Sequence, residues 1–166
     1  LNSLGLKNQV YLPYFIGDGN EGTFYNCKFS QTSSLLEPNM SLLRRFQHLA
    51  ELTQPQSTEQ VSTKRLDDIP EIESIDYLKV DVQGGEVAVF RGAERLLRGT
   101  VFVHTEVTFA PMYKGQPLFA EIDQELRRQG FLFHTFAAMS GRAFKPLAPA
   151  QDQSFPFRQY LWGDAV

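Results

Sequence analysis

One stretch constrains the fold more than any other, namely "YLKVDVQGGEVAVFRGAERLL" at residues 77–97. An alternating run at 77–82 predicts a strand, Gly84-Gly85 breaks it, and a helical pattern follows at about 86–98. The same order continues with a strand at 100–109, a helix at 117–130 and strands at 131–136 and 158–163. Strands that alternate with helices of this length predict an α/β sheet with parallel strands joined by crossover connections.

The chain before residue 75 gives weaker signals. The patterns predict a strand at 9–16, an extended segment at 23–30, a helix at 41–52 capped by Asn39 or Ser41, a polar loop at 53–60 and a short strand beginning at 61. "GDGNEG" at 17–22 matches a dinucleotide-binding glycine pattern, but that motif must open a helix. Aromatic residues without helical periodicity follow instead, so we expect a turn there.

Composition excludes several classes of function. With 166 residues, 42% of them hydrophobic and 21% charged, the chain is expected to form a single globular domain over residues 1–166. Its net charge of −3 predicts no nucleic-acid partner, and the absence of a long apolar run predicts no membrane partner. Cys27 is the only cysteine, which rules out an internal disulfide and a cysteine-based zinc site. The first ten residues lack the pattern of a signal peptide, so we expect a cytoplasmic location.

Polar side chains mark the ends of the two best-defined strands. Asp81, followed by Gln83, lies near the end of one strand, while His104 and Glu106 share one face of the other. A fully buried parallel strand reads as a nearly continuous apolar run, so these polar stripes indicate a cleft at the carboxyl edge of the sheet. If the strands are neighbours, two carboxylates face one site, with His104 beside them.

Such a cluster suits a general base, a divalent cation or a polyhydroxyl substrate. A structural interpretation stands beside it, in which Lys79 pairs with Asp81, Glu106 caps a loop and His104 is a hydrogen-bonded core residue. For Glu86, the position at a helix start favours stabilisation by the helix dipole. Gly84-Gly85 allows the sharp turn and lets a ligand approach the backbone.

Longer blocks resemble the FkbM family of S-adenosylmethionine-dependent methyltransferases. The resemblance is carried by "LDDI…IDYLKVDVQGGEVAVFRGAERLL" and by "HTEVTFAPMYKGQPLFAEIDQELRRQGF", with "IGDGNEGTFYNCKFSQTSSLLEPN" upstream. It covers most of residues 9–136, and "RQYLWGDAV" fits the end of the family pattern. It implies a Rossmann-like class I methyltransferase sheet, mostly parallel with an antiparallel last strand, and methyl transfer to a hydroxyl of a sugar or polyketide-like acceptor.

The resemblance also implies roles for individual residues. Gly17, Asp18 and Asp81 would contact S-adenosylmethionine, and Gln83, Tyr113 and Gln116 would contact the acceptor. The base would come from Asp81, Glu106 or His104. No metal ligand is predicted, and whether a divalent metal assists stays open, since two carboxylates also suit direct hydrogen bonding to a polyol.

One part of the family pattern has no counterpart in the chain. The first two strands and the glycine-rich turn, which hold the methionine and ribose portions of the cofactor, are expected to precede residue 1, leaving the third strand with an exposed edge. The chain is therefore expected to be a partial domain, from third strand to last strand, that binds the cofactor weakly or not at all. The alternatives are a non-catalytic glycan- or partner-binding fragment and a hydrolase that uses the carboxylate pair. Oligomeric state is not predicted.

Overall fold

A computed structural model of the chain describes residues 9–147 and 158–166, which form an α/β arrangement with short helices. In chain order the elements are β1 (Phe15–Ile16), β2 (Glu21–Cys27), α1 (Met40–Leu43), α2 (Leu49–Leu52), β3 (Pro55–Lys64), β4 (Tyr77–Val80), α3 (Glu86–Arg91), α4 (Glu94–Leu97), β5 (Phe102–Thr108), α5 (Phe119–Arg128), β6 (Phe136–Ala143) and β7 (Arg158–Ala165). The α/β class predicted from the sequence is confirmed.

The strands form two sheets rather than the single, mostly parallel sheet that was expected. One sheet has the order β1-β3-β2, in which β1 runs parallel to β3 and β2 runs antiparallel to it. The other has the order β4-β5-β7-β6. There β4 and β5 are parallel, while β7 is antiparallel to both of its neighbours. The antiparallel last strand is therefore confirmed, and β6 runs in the same direction as β4 and β5.

The prediction of a polar loop at 53–60 is wrong, because these residues belong mostly to β3. Seven backbone pairs join β3 to β2, with Glu21 opposite Ser62 and Cys27 opposite Pro55. Nearly all β3 side chains are exposed, and Thr63 alone in the strand is buried. The strand thus forms through backbone pairing and carries none of the apolar alternation that a sequence pattern detects. The turn predicted at 17–22 is confirmed, since β2 follows it instead of a helix.

The helix predicted at 41–52 is broken into α1 and α2. Between them, the Gln47 N–H donates to the Ala143 carbonyl, and the Lys145 N–H donates to the Arg45 carbonyl. These bonds to the end of β6 replace helical ones, and His48 adopts a left-handed φ of 63°. The predicted cap is confirmed at Asn39, whose side chain accepts from the N–H of Leu42.

The helix predicted at 86–98 is also interrupted, at Gly92. The Gly92 carbonyl accepts from the N–H of Asp67, and the Asp67 carboxylate accepts from the N–H groups of Arg95 (2.8 Å) and Leu96 (3.0 Å). A residue from a preceding segment therefore caps α4, so that two short helices replace one long helix. By contrast, the helix predicted at 117–130 is confirmed as α5.

The prediction of a strand at 131–136 is displaced along the chain, since the strand in this region, β6, begins only at Phe136. The N–H groups of His134 and Thr135 both donate to the Val166 carbonyl and form no strand ladder. Gly141 lies within β6. A side chain there would collide with the backbone oxygen of Gln159 on β7, so the glycine permits close strand pairing.

Two apolar clusters surround the carboxyl edge of the second sheet. The larger packs α3, α4 and α5 against one face of β4 and β5, with Phe90, Val107 and Ile122 almost fully buried. The smaller packs α1 and α2 against Met112, Tyr113 and Leu161. No helix in the described ranges is long and apolar enough to cross a bilayer.

Candidate functional site

The predicted carboxylates meet at the carboxyl ends of two adjacent strands. In the parallel pair of β4 and β5, Lys79 lies opposite His104. Two residues further along, Asp81 follows β4 and Glu106 lies on β5, so that both point from the same face. The expectation that these strands are neighbours is confirmed, and the cleft predicted at this edge is where the site lies.

The turn after β4 depends on two left-handed residues in a row. Gln83 has a φ of 53° and Gly84 a φ of 103°. A side chain on Gly84 would lie 3.1 Å from Leu36 Cδ1 and 3.2 Å from Gln116 Cγ. Both the backbone conformation and the crowding therefore require glycine at this position.

The side chain of Gln83 joins the residues of the site. Its nitrogen Nε2 lies 2.6 Å from Asp81 Oδ1 and 3.4 Å from Glu106 Oε1. The single hydrogen of the Tyr113 hydroxyl has two acceptors, the Thr32 carbonyl at 2.8 Å and Gln83 Oε1 at the longer distance of 3.3 Å. One amide thus bridges two carboxylates and a phenol, using donors on one side and an acceptor on the other.

Gln116 lies behind this network rather than in it. Its Oε1 accepts from the backbone N–H of Tyr113 at 3.1 Å, and both residues are buried. Burial also raises the pKa of the Tyr113 phenol, so the group stays protonated and donates hydrogen bonds. Gln116 therefore orients the loop that carries Tyr113, whereas its predicted contact with an acceptor stays a prediction.

A cavity of about 510 Å³ opens over these groups. Its polar lining includes Asp81, Gln83, Glu106 and Tyr113, and its apolar lining consists of Phe29, Leu43, Leu49, Met112 and Trp162. This combination of a few convergent polar groups with aromatic and aliphatic walls is typical of small-molecule sites. A larger cavity, of about 620 Å³, lies between α5 and the opposite face of β5, but its lining lacks the Asp81–Glu106 pair.

Glu106 has the most perturbed carboxyl group of the site. Its pKa is raised from 4.5 to about 8, first by burial and then by the negative charges of Asp81, Glu86 and Asp164. The group is therefore largely protonated at neutral pH and ionises slightly above it. A carboxylate in this range is suited to general base catalysis, because its proton affinity is matched to the working pH.

His104 belongs to a different network on the same face of the sheet. Its Nδ1 lies 2.7 Å from the Tyr77 hydroxyl, and its Nε2 lies 3.0 Å from Asp164 Oδ1. The Lys79 ammonium contacts the same Asp164 oxygen at 3.1 Å, so it does not pair with Asp81. His104 is not among the residues that line the cavity. This environment favours the structural interpretation, and the catalytic role predicted for it stays a prediction.

Gly17 and Asp18 lie away from the cavity, at the end of β1. Gly17 packs against Thr63 and Gly92, where a side chain would come within about 3 Å of other atoms. The Asp18 carboxylate accepts from the N–H and the side-chain amide of Asn20, each at 2.9 Å, and these bonds lower its pKa. Of the three residues predicted to contact the cofactor, only Asp81 lines the cavity.

Sequence patterns missed several residues around the site. Glu86 is buried and bonded to the backbone of the turn, although its position at the helix start indicated only a dipole effect. Ser34, from the segment between β2 and α1, donates to the Gln83 carbonyl. Trp162 and Phe29 reach the cavity from distant parts of the chain, and no local pattern identified them. Among residues 9–147 and 158–166, no group of three or more His, Cys, Asp or Glu side chains is placed to hold a metal ion.

Comparison with known proteins identifies relatives of the chain. A family model described as the methyltransferase FkbM domain matches residues 1–133. The chain is also 43% identical over 67 residues to the 2-O-methyltransferase NoeI of Sinorhizobium fredii. That match covers 38% of this chain and only 28% of NoeI. No solved structure matches significantly.

Proposed function

The chain belongs to the methyltransferase FkbM domain family, and from this premise we propose that it takes part in S-adenosylmethionine-dependent O-methylation. The proposed acceptor is a hydroxyl of a sugar or polyketide-like molecule. One observation carries the proposal: Glu106, with a pKa near 8, lies in a cavity beside Asp81, and a single amide links the two carboxylates. The printed name of NoeI, a 2-O-methyltransferase, is consistent with oxygen as the methylated atom.

A hydroxyl is a weak nucleophile, so its methylation benefits from a base that accepts the proton as the carbon–oxygen bond forms. Ionised Glu106 is placed to accept that proton, and Asp81 is placed to accept a hydrogen bond from a neighbouring hydroxyl. Gln83 separates the two carboxylates and fixes their directions. As the proton moves to Glu106, the electron pair of the O–H bond stays on the acceptor oxygen, which becomes a better nucleophile toward a bound methyl donor.

The walls of the cavity support the same chemistry by orienting the acceptor and limiting water. Phe29 and Trp162 offer aromatic surface beside the polar groups, and Met112 adds an apolar side chain to the lining. Aromatic faces that adjoin hydrogen-bonding groups suit a ring with an apolar face and hydroxyls at its edge. Alignment of the reactants in such a pocket provides much of the rate enhancement in displacement reactions.

Only one of the three residues predicted to contact the methyl donor, Asp81, lines the cavity. S-adenosylmethionine, when bound, would supply an electrophilic methyl group on a sulfonium. Of its predicted contacts, however, Gly17 is packed into the protein and Asp18 is bonded to its own turn. The second sheet has the order β4-β5-β7-β6, with β7 antiparallel to its neighbours. This arrangement supports the proposal that the chain has a Rossmann-like methyltransferase sheet.

The position of Gly17 and Asp18 outside the cavity lining favours a second candidate, a non-catalytic fragment of the same fold that binds a glycan or a partner. The cavity would then hold a polyhydroxyl ligand through the Asp81–Gln83–Glu106 network without transferring a methyl group. This candidate predicts saturable binding of a sugar in the absence of any methyl donor.

Calorimetric titration with S-adenosylmethionine distinguishes the two candidates. The chain, and a version extended at its amino terminus, are titrated and then assayed for transfer of a labelled methyl group to a panel of methyl glycosides. The enzyme proposal requires donor binding and transfer by at least the extended version, and loss of transfer in Glu106→Gln. If the extended version binds no donor yet binds a glycoside, the binding candidate replaces the enzyme.

A further inference from the structure

Two buried polar side chains form hydrogen bonds to the backbone of the turn that carries Gln83, and the proposed chemistry uses neither of them. They are Glu86, the first residue of α3, and Ser34, from the segment between β2 and α1. Both are almost completely buried, with exposures of 2% and 1% respectively. A buried carboxylate or hydroxyl is costly unless it is hydrogen-bonded, so the partners of these groups indicate what they stabilise.

Glu86 binds the turn from the helix side. Its Oε1 accepts from the backbone N–H of Val82 at 3.3 Å and from that of Gly84 at 3.1 Å. These are the two N–H groups on either side of Gln83 in sequence. A single carboxylate oxygen thus gathers both groups into a tight loop, and bonds of this kind to a charged acceptor are stronger than neutral ones.

Ser34 binds the same turn from the opposite side. Its hydroxyl donates to the Gln83 carbonyl at 2.7 Å and accepts from the N–H of Leu36 at 2.9 Å. The peptide groups around Gln83 are therefore held at both N–H groups and at the carbonyl. This support matters because Gln83 has a φ of 53°, a conformation that residues with a side chain adopt rarely.

The direction of the Gln83 side chain follows from that backbone. From this turn its amide reaches Asp81 on one side and Glu106 on the other, and its oxygen lies 3.3 Å from the Tyr113 hydroxyl. If the turn relaxed to an ordinary conformation, the side chain would swing away and leave the carboxylates unbridged.

We propose that Glu86 and Ser34 are positioning residues that hold the Val82–Gly84 backbone in the left-handed turn from which Gln83 joins Asp81 to Glu106. The geometric part of this inference stands on the hydrogen bonds alone. Its consequence for methyl transfer rests on the proposed function.

Nuclear magnetic resonance measures the geometric part directly. Amide hydrogen exchange is followed at Val82 and Gly84, together with the side-chain amide resonances of Gln83, which are assigned by their loss in Gln83→Leu. In Glu86→Ala we expect exchange at both sites to accelerate roughly tenfold or more, because an acceptor with a charge is removed. In Glu86→Gln, where one oxygen can still accept, the acceleration should be smaller.

Matched controls separate positioning from general destabilisation. Glu94→Gln changes an exposed glutamate that begins the next helix, as Glu86 begins α3. Ser33→Ala removes a hydroxyl beside Ser34 that accepts from Cys27 instead of holding the turn. Neither control should shift the Gln83 side-chain resonances, whereas Ser34→Ala should. Ser34→Ala also decides the question if Glu86→Ala does not fold.

A second readout concerns the pH dependence of any activity. The groups that face Glu106 are Asp81 after β4, Glu86 on α3 and Asp164 on β7, and all three raise its pKa. Glu86→Gln removes one of these charges, so the midpoint of the pH–rate profile should move to lower pH. A purely structural role for Glu86 would reduce the rate without moving that midpoint.

The proposal is overturned if folded Glu86→Ala and Ser34→Ala keep the wild-type exchange rates and Gln83 resonances. Faster exchange spread evenly over all core amides would also overturn it, since that pattern reports global stability alone. If neither the wild-type chain nor its extended version transfers a methyl group, the proposed function fails while the exchange data still decide the role of the two residues.

Discussion

The side-chain nitrogen of Gln83 lies 2.6 Å from Oδ1 of Asp81, from which it is separated by one residue in the chain. The same nitrogen approaches Glu106, which belongs to the neighbouring strand. Two carboxylates placed this close repel each other, and an NH₂ group with two donors between them offsets that repulsion. The spacing of Asp81 and Gln83 in sequence therefore places the Gln83 amide between the Asp81 and Glu106 carboxyl groups in the cavity lining.

Glu106→Gln is expected to lower kcat for methyl transfer by roughly 100-fold or more, because a positioned general base contributes about 10²–10⁴-fold. In the wild type the rate should rise with pH and level off above about 8, where Glu106 becomes ionised. Transfer of a labelled methyl group, followed from about pH 6 to about pH 10, measures both effects. Glu59→Gln, an exposed change on β3, serves as the control. A pH profile that is flat across this range would contradict the assignment.

Stability should also depend on Glu106, in a direction that follows from its raised pKa. The folded protein retains this proton up to about pH 8, whereas the unfolded chain loses it near 4.5. The contribution of protonated Glu106 to the free energy of unfolding is therefore fully present below about pH 4.5. It is lost as pH rises through about 8, by an amount on the order of a few kcal/mol. Urea unfolding at about pH 5 and about pH 9 measures the change.

Glu106→Gln should reduce that pH dependence without abolishing it, since burial also raises the pKa of Glu86. An unfolding free energy that does not fall over the same pH interval in the wild type would contradict a raised pKa for Glu106 in the fold.

Gly84→Ala is expected to reduce the free energy of unfolding by about 1–3 kcal/mol, because a φ of 103° is strained for alanine. Its new methyl group would also approach Leu36 and Gln116. Gly115→Ala separates the two causes, since Gly115 has a φ of 71° but nothing within 4 Å of the added carbon.

Gly85→Ala completes this series of urea unfolding measurements, with a φ of −93° and its nearest contact at 3.4 Å. The order of destabilisation should be Gly84, then Gly115, then Gly85. If Gly84→Ala were the mildest of the three, the turn would not have the conformation described.

Asp67→Ala is expected to destabilise the protein by about 1–2 kcal/mol, the usual effect of removing a helix N-cap. Its carboxylate accepts from the N–H groups of Arg95 and Leu96, although it lies far from them in sequence. Asp68→Ala, which removes the exposed carboxylate beside it, should change stability by no more than about 0.5 kcal/mol. Thermal unfolding followed by circular dichroism compares the pair, and equal losses would argue against the cap.

His104→Asn tests the role that the sequence suggested for this histidine. Because His104 is bonded to Tyr77 and Asp164 outside the cavity lining, we expect kcat to fall less than roughly tenfold, well short of the loss of a general base. Steady-state kinetics beside Glu106→Gln provide the comparison. An equal loss in both variants would restore His104 to the catalytic group.

Some features of the site could be predicted from local sequence, because short-range rules govern them. Period 2 in the strands placed Asp81 and Glu106 at one edge of the sheet, and the order of strands and helices indicated that the edge would be a cleft. Gly84-Gly85 marked the turn, since few other residues adopt a left-handed φ. The helical periodicity at 117–130 located α5, because that pattern too depends only on neighbouring residues.

Only the tertiary structure decided how these features are connected. Arg45 and Gln47 pair with the end of β6 and interrupt a helix, Asp67 divides another, and β3 forms without any apolar pattern. Glu86, which the sequence indicated only as a helix-start residue, is a buried acceptor for the N–H groups of Val82 and Gly84 in the turn after β4. Each of these outcomes depends on hydrogen-bond partners distant in sequence or on burial created by packing. Local periodicity determines which face a side chain occupies, but the partners on that face are fixed only when the chain folds.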